Sequence, residues 1–67
     1  MKISARNQLS GAVTSITLGG VMAEIVVSVG ENEIVSVITR KSAEELGLSE
    51  GDEVTVIIKS TEVMLAT

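Results

Sequence analysis

Two of the five basic side chains in this sequence stand among hydroxyl and amide groups. Arg6 lies in Ser4-Ala5-Arg6-Asn7, just ahead of an expected β-strand. Lys59 opens Lys59-Ser60-Thr61, where another strand ends. If the first and fourth strands bring these ends together, within a chain or across an interface, they form a donor-rich pocket. Thr39 and Ser42 add hydroxyls at the end of the third strand and the start of a helix. The free N–H groups and dipole of that helix also favour an anion. Taken singly, each residue has a plain explanation. Lys2, Arg40 and Lys41 read as solvated charges, and Ser42 is fully explained as a helix cap. The collection points to chemistry. A guanidinium fork, an ammonium point charge, hydroxyls and N–H groups all donate, and none demands an acceptor. The matching ligand is a fully deprotonated oxyanion such as molybdate, tungstate or sulfate. Monohydrogen phosphate carries a proton at neutral pH and requires an acceptor that such a pocket does not offer.

Other chemistries are poorly supplied. Cysteine and histidine are absent, and the serines have no evident base partner, so nucleophilic catalysis is not expected. No direct metal-ligand set is expected either. The carboxylates fall at turns and on the helix, where solvated surface is the natural reading. Glu24 interrupts the apolar run Val21-Met22-Ala23-Glu24-Ile25-Val26-Val27, but strand alternation lets it face water. The chain reads as a binding protein, not an enzyme.

The elements that must position these donors are mostly strands. Residues 8–17 alternate as a first strand, with Leu9, Val13 and Ile16 as buried candidates. Leu18-Gly19-Gly20 is a turn, and residues 21–29 are a strand rich in β-branched side chains. Gly30-Glu31-Asn32 reads as a hairpin turn before a third strand over 33–38. The period then changes. Residues 42–47 form one short helix, with a capping-box spacing between Ser42 and Glu45 and Gly47 as its left-handed end. After the turn Ser49-Glu50-Gly51-Asp52, residues 53–59 are a fourth strand with Val54, Val56 and Ile58 on one face. A bend at Ser60-Thr61 leads to a short fifth strand over 63–66. This order predicts an all-β domain: a small five-stranded Greek-key barrel of the oligonucleotide/oligosaccharide-binding type, with the helix between the third and fourth strands. No linker or repeat divides the chain, and a single domain over 1–67 is expected.

Size and composition bound the context. At 67 residues, with 45% hydrophobic and no aromatic residues, a chain lacking disulfide and metal staples has little stability to spare. A monomer this small cannot hide that much Val, Ile, Leu and Ala, so burial between subunits of a homo-oligomer is expected. The net charge of −4 opposes nucleic-acid binding. The missing aromatics remove the stacking platforms of single-strand binders. No apolar run approaches the about 20 residues of a membrane span. No signal-peptide pattern opens the sequence, and the expected location is the cytoplasm.

The motifs also resemble a family. Ile3-Ser4-Ala5-Arg6-Asn7-Gln8-Leu9 with Gly11 is similar to the opening signature of the molbindins, the Mop-type molybdate/molybdopterin-binding proteins of the TOBE/Mop group. The resemblance continues through Ala23-Glu24-Ile25, Ile38-Thr39 with Ser42, and Leu46-Gly47-Leu48-Ser49-Glu50-Gly51. It closes with residues 56–64, Val-Ile-Ile-Lys-Ser-Thr-Glu-Val-Met. It implies an oligonucleotide-binding-type barrel, assembly as a homohexamer (a trimer of dimers), and molybdate held at subunit interfaces. By motif position, Ser4, Arg6 and the Ala5 backbone come from one subunit, joined by Lys59 and Ser60. Thr39 and Ser42 complete the shell, some of these from a neighbouring chain. The implied role is molybdenum storage and homeostasis. Members of the family carry a second class of site near the three-fold axis, and many relatives have a polar residue where this chain has Met22.

A second resemblance competes. Residues 39–54 are similar to the strand, short helix and Glu-Gly-Asp turn of AbrB-type swapped-hairpin transcription factors, which bind DNA as intertwined dimers. It covers less than half the chain, and the acidic balance opposes it. A purely structural oligomerisation module would explain the apolar surplus but gives Arg6 and Lys59 no role.

Overall fold

The computed structural model describes residues 2–67. Four strands, β1 (Asn7–Leu18), β2 (Met22–Val29), β3 (Asn32–Thr39) and β4 (Glu53–Ile58), form one antiparallel sheet in the order β3-β2-β1-β4. The helix α1 (Arg40–Leu46) sits between β3 and β4, and a 3-10 turn at Ser60–Glu62 follows. Each strand lies close to where alternation predicts it.

β1 organises the sheet because it has two partners. Its first half pairs with β4, from Asn7↔Ile58 to Ala12↔Glu53. Its second half pairs with β2, from Ala12↔Ser28 to Leu18↔Ala23. The register slips by one residue between Val13 and Ser15. Thr14 is the extra residue of this bulge, and its hydroxyl donates to the Val26 carbonyl at 3.2 Å. A bulge adds local twist, which suits a strand that changes partners there. Gly11 sits at the same crossing. A Cβ on it would lie 2.5 Å from the Ser28 carbonyl oxygen and 2.7 Å from Val27 Cγ1, so only glycine fits this approach. The turn before β4 docks on the bulge: Val13 N–H donates to the Asp52 carbonyl (2.9 Å), and Gly51 N–H to the Val13 carbonyl (2.7 Å).

The β2–β3 hairpin closes through the two residues Gly30 and Glu31, one fewer than the sequence suggests. Gly30 takes a positive φ of 59°, as the first central position of a type II′ turn requires. The helix also begins earlier than predicted. Thr39, not Ser42, is its N-cap, and Thr39 Oγ1 accepts from Ser42 N–H at 3.0 Å. The Ser42–Glu45 capping box is therefore not formed. At the other end Gly47 is left-handed as predicted (φ 63°). Gly47 N–H donates to the Glu44 carbonyl and Leu48 N–H to that of Ala43, a Schellman arrangement.

The core is small. Val13, Ala23, Ile25, Val27 and Ala43 are buried, with Ile16, Val29, Ile38, Leu48, Val54 and Val56 packed around them. Burying a valine stabilises by roughly 1.5–3 kcal/mol, so this is a thin reserve. Leu9, predicted to be buried, is exposed because it lies beyond the covered part of β1. The predicted fifth strand is not formed: residues 63–67 carry no sheet pairing, and Met64 and Leu65 are 93% and 94% exposed. A strand requires an edge to pair with. The 3-10 turn delivers the tail to neither free edge of its own sheet. The barrel is thus an open four-stranded sheet in the isolated chain. Val35 and Val37 stand outward on β3, 59% and 61% exposed.

Candidate functional site

The predicted donors fall into two groups, one at each end of β1. The first group follows from the β1–β4 ladder. The ladder ends at Asn7↔Ile58, and Arg6 and Lys59 are the next residues of the two chain segments beyond that last pair. Arg6 and Ser4 are exposed and Ala5 is half-buried. Lys59 is the extended residue leading into the 3-10 turn, and Ser60 and Thr61 follow on the surface. Among the described residues neither cation has a carboxylate in ion-pair range; the ion pair found there joins Arg40 and Glu44. Two like charges with no counter-charge favour an anion between them.

Two side chains shape this end: Asn7, read in the sequence only as the amide beside Arg6, and Gln8, to which sequence reasoning gave no role. Asn7 Nδ2 donates to the Ile58 carbonyl at 3.2 Å and Gln8 Nε2 to the Ala5 carbonyl at 2.7 Å. Their position beside Arg6 is visible in the sequence, but not the carbonyls they reach.

The second group is remote. Thr39 pairs with Met22 at the far end of the β2–β3 ladder, beside the Leu18 end of β1. β1 has 12 residues and covers on the order of 35 Å at ~3.3 Å per residue; the longest dimension of the molecule is 34 Å. One chain therefore does not bring Thr39 and Ser42 to Arg6 and Lys59. The two hydroxyls are bonded together: Thr39 Oγ1 donates to Ser42 Oγ at 2.7 Å while accepting from Ser42 N–H. Thr39 thus uses its proton internally, whereas the Ser42 hydroxyl proton is free to point outward. Thr39 also lines an open groove of about 420 Å³ with Gly20, Val21, Arg40, Lys41 and Glu44.

Arg40 has structural work. Its Nη1 donates to the Gly19 carbonyl at 3.2 Å, its Nε lies 3.9 Å from Glu44 Oε2, and its backbone N–H bonds the Val21 carbonyl at 2.8 Å. It ties the β1–β2 turn to the helix, which leaves Lys41 as the free cation of the Arg40-Lys41 pair. Among the described residues no cluster of carboxylates forms a metal site. No helix among the described residues is long and apolar enough to cross a membrane.

Comparison with known proteins identifies the family and the fold. Residues 3–65 match the family model of the TOBE domain. The chain is 52% identical over 66 residues to molybdenum-pterin-binding protein 1 of Clostridium pasteurianum, covering 97% of each. Among solved structures it superposes on a molybdate binding protein from Sporomusa ovata with a TM-score of 0.95 and 43% identity, over 100% of both chains. It also superposes on the cytoplasmic molybdate-binding protein ModG with molybdate bound. There the TM-score is 0.83 at 38% identity, over 90% of this chain and 43% of that one. On sequence and fold alike, the chain belongs to the TOBE domain family, among relatives of the molybdenum-pterin-binding proteins.

Proposed function

We propose that this chain binds molybdate, as a single domain that assembles with copies of itself and holds the oxyanion where copies meet. The observation that carries the reading is the placement of Arg6 and Lys59 just beyond the last pair of the β1–β4 ladder, two cations without a carboxylate partner, in a chain whose relatives bind molybdenum-pterin and molybdate. Ser4, the Ala5 backbone, Arg6, Lys59 and Ser60 supply donors from one chain. Ser42, aimed by Thr39, supplies its donor from a neighbour, since β1 holds the two groups apart. Tungstate has the same charge and shape and fits the same donors. Release and uptake of the ion serve molybdenum storage and homeostasis in the cytoplasm.

Assembly follows from the exposed apolar surface. Val35, Val37, Met64 and Leu65 need cover, and a small four-stranded sheet with two open edges has a natural place for a fifth strand. We place residues 63–66 there in the assembled state, closing the five-stranded Greek-key barrel, and we take the assembly to be a hexamer. Binding rather than catalysis is the function. The swapped-hairpin DNA-binding reading has no support from the relatives, and Arg40, which it would need free, is tied to Gly19 and Glu44.

Native mass spectrometry with and without molybdate tests both parts. The expected species is six chains carrying bound oxyanions. A monomer at micromolar concentration, unchanged by molybdate, overturns the interface site and the assembly together.

A further inference from the structure

We infer that Gln8 is a specificity-determining residue of this oxyanion site, acting by occupying a main-chain acceptor in the segment that carries the donors. The inference rests on the reading of Ser4, Ala5 and Arg6 as oxyanion ligands. Ala5 stands between Ser4 and Arg6, and its carbonyl is the acceptor at the centre of that segment. Gln8 Nε2 folds back three residues to donate to it at 2.7 Å. The neighbouring residue repeats the pattern: Asn7 Nδ2 donates to the carbonyl of Ile58, directly ahead of Lys59, at 3.2 Å. Consecutive carboxamides on β1 thus each occupy a main-chain carbonyl next to one of the two cations.

A structural purpose explains Gln8 poorly. The side chain is exposed, water would satisfy the Ala5 carbonyl equally well, and immobilising a glutamine costs rotamer entropy. The bond has a clearer effect on the ligand. A bare carbonyl oxygen repels the oxygens of a fully deprotonated dianion. The same carbonyl accepts the proton of monohydrogen phosphate and so stabilises the wrong ion. With one lone pair of the Ala5 carbonyl taken by Gln8, that carbonyl is a weaker acceptor, and monohydrogen phosphate gains less there than from a bare carbonyl. This is discrimination by weakening a partner, the route by which one hydrogen bond separates ions of equal charge and similar shape.

The test is competition of inorganic phosphate against bound molybdate at pH 7.5, in the assembled protein, for Gln8→Met, Gln8→Glu and Gln8→Lys. The readout is the ratio of molybdate to phosphate affinity. Loss of the donor in Gln8→Met should lower that ratio about three- to tenfold, the scale of a single hydrogen bond. Gln8→Glu should lower it as much, its added charge weakening both dianions together. Gln8→Lys keeps a donor for the Ala5 carbonyl, so both affinities should rise while the ratio stays within about twofold of the parent. If Gln8→Met fails to assemble, the Glu and Lys variants decide between them. An unaltered ratio in the donorless variants overturns the inference, as does a collapsed ratio in Gln8→Lys. Arg6→Ala separates this from the underlying reading. If Arg6→Ala abolishes molybdate binding while the Gln8 variants keep the ratio, only the role of Gln8 fails. If Arg6→Ala binds molybdate normally, the site and the inference built on it fail together.

Discussion

The two ends of β1 carry similar residue types and use them in opposite ways. At the Leu18 end, Thr39 and Ser42 bond each other and the helix backbone, and Arg40 is held by Gly19 and Glu44. Polar groups there are largely satisfied within the chain. At the Asn7 end, Arg6 and Lys59 follow the last ladder pair with no carboxylate to neutralise them, while the carbonyls beside them are occupied by Asn7 and Gln8. Among the described residues that end keeps two cations without an ion-pair partner. A hydroxyl or a cation in a sequence therefore says little about binding until its internal partners are known. The informative feature is the donor left without one.

Replacing Arg6 by Ala should break the comparison most sharply. Molybdate affinity is expected to fall by about 2 kcal/mol or more, as for loss of a charge-assisted bond. The unliganded assembly should keep its stability or gain some, because a cation–cation repulsion is removed with the side chain. Lys59→Ala should behave alike. Calorimetric titration beside thermal melts of the empty protein reads both quantities. Unaltered affinity would make Arg6 a surface decoration, and lost stability would make it a structural ion-pair partner of a carboxylate on a neighbouring copy.

A smaller and divided effect is expected at the other end. Thr39→Ala removes an N-cap and should destabilise the fold by about 1 kcal/mol in a denaturant melt. Ser42→Ala leaves that cap acceptor in place and should change stability little, while lowering molybdate affinity by about 1 kcal/mol as a neutral donor is lost. Equal effects of the two variants on affinity would show that Thr39 is itself a ligand and not the residue that aims Ser42.

The least response is expected from nucleic acid. Duplex DNA at near-physiological salt should show no saturable binding in a fluorescence anisotropy titration, while molybdate raises the melting temperature by linkage. DNA binding without an oxyanion response would move the functional surface to the Arg40-Lys41 segment.

Much of the fold is legible in the sequence because it is local. Period-2 alternation locates the four strands. Gly30 and Gly47 mark the positive-φ positions that a short hairpin turn and a helix end require. The cap is harder to read because Thr39 and Ser42 are both good capping residues three apart, and the polar Arg40-Lys41 pair gives no hydrophobic period to choose between them. Burial of Leu9 fails for a different reason: alternation tells which face a residue takes, not how far along the strand the cover extends. The fifth strand fails because an apolar stretch such as residues 63–66 records a need for a partner without saying which chain supplies it. The separation of the donors into two groups is least visible. It depends on which half of β1 meets β4, and that is fixed by the bulge at Thr14 and the close approach at Gly11, long-range contacts with no sequence period.

The open edges of β3 and β4 also set a clock on biosynthesis. A newly made chain exposes two rows of unpaired backbone groups beside a bare apolar face, the template on which wrong chains add. Under the proposed assembly, productive association with other copies is at least second order, so its half-time lengthens as expression falls, whereas an exposed edge remains open to any other unfolded polypeptide at whatever concentration that is present. Slow, dilute synthesis therefore prolongs the dangerous interval, and a tandem arrangement of two such sequences on one polypeptide would shorten it by making the first encounter intramolecular.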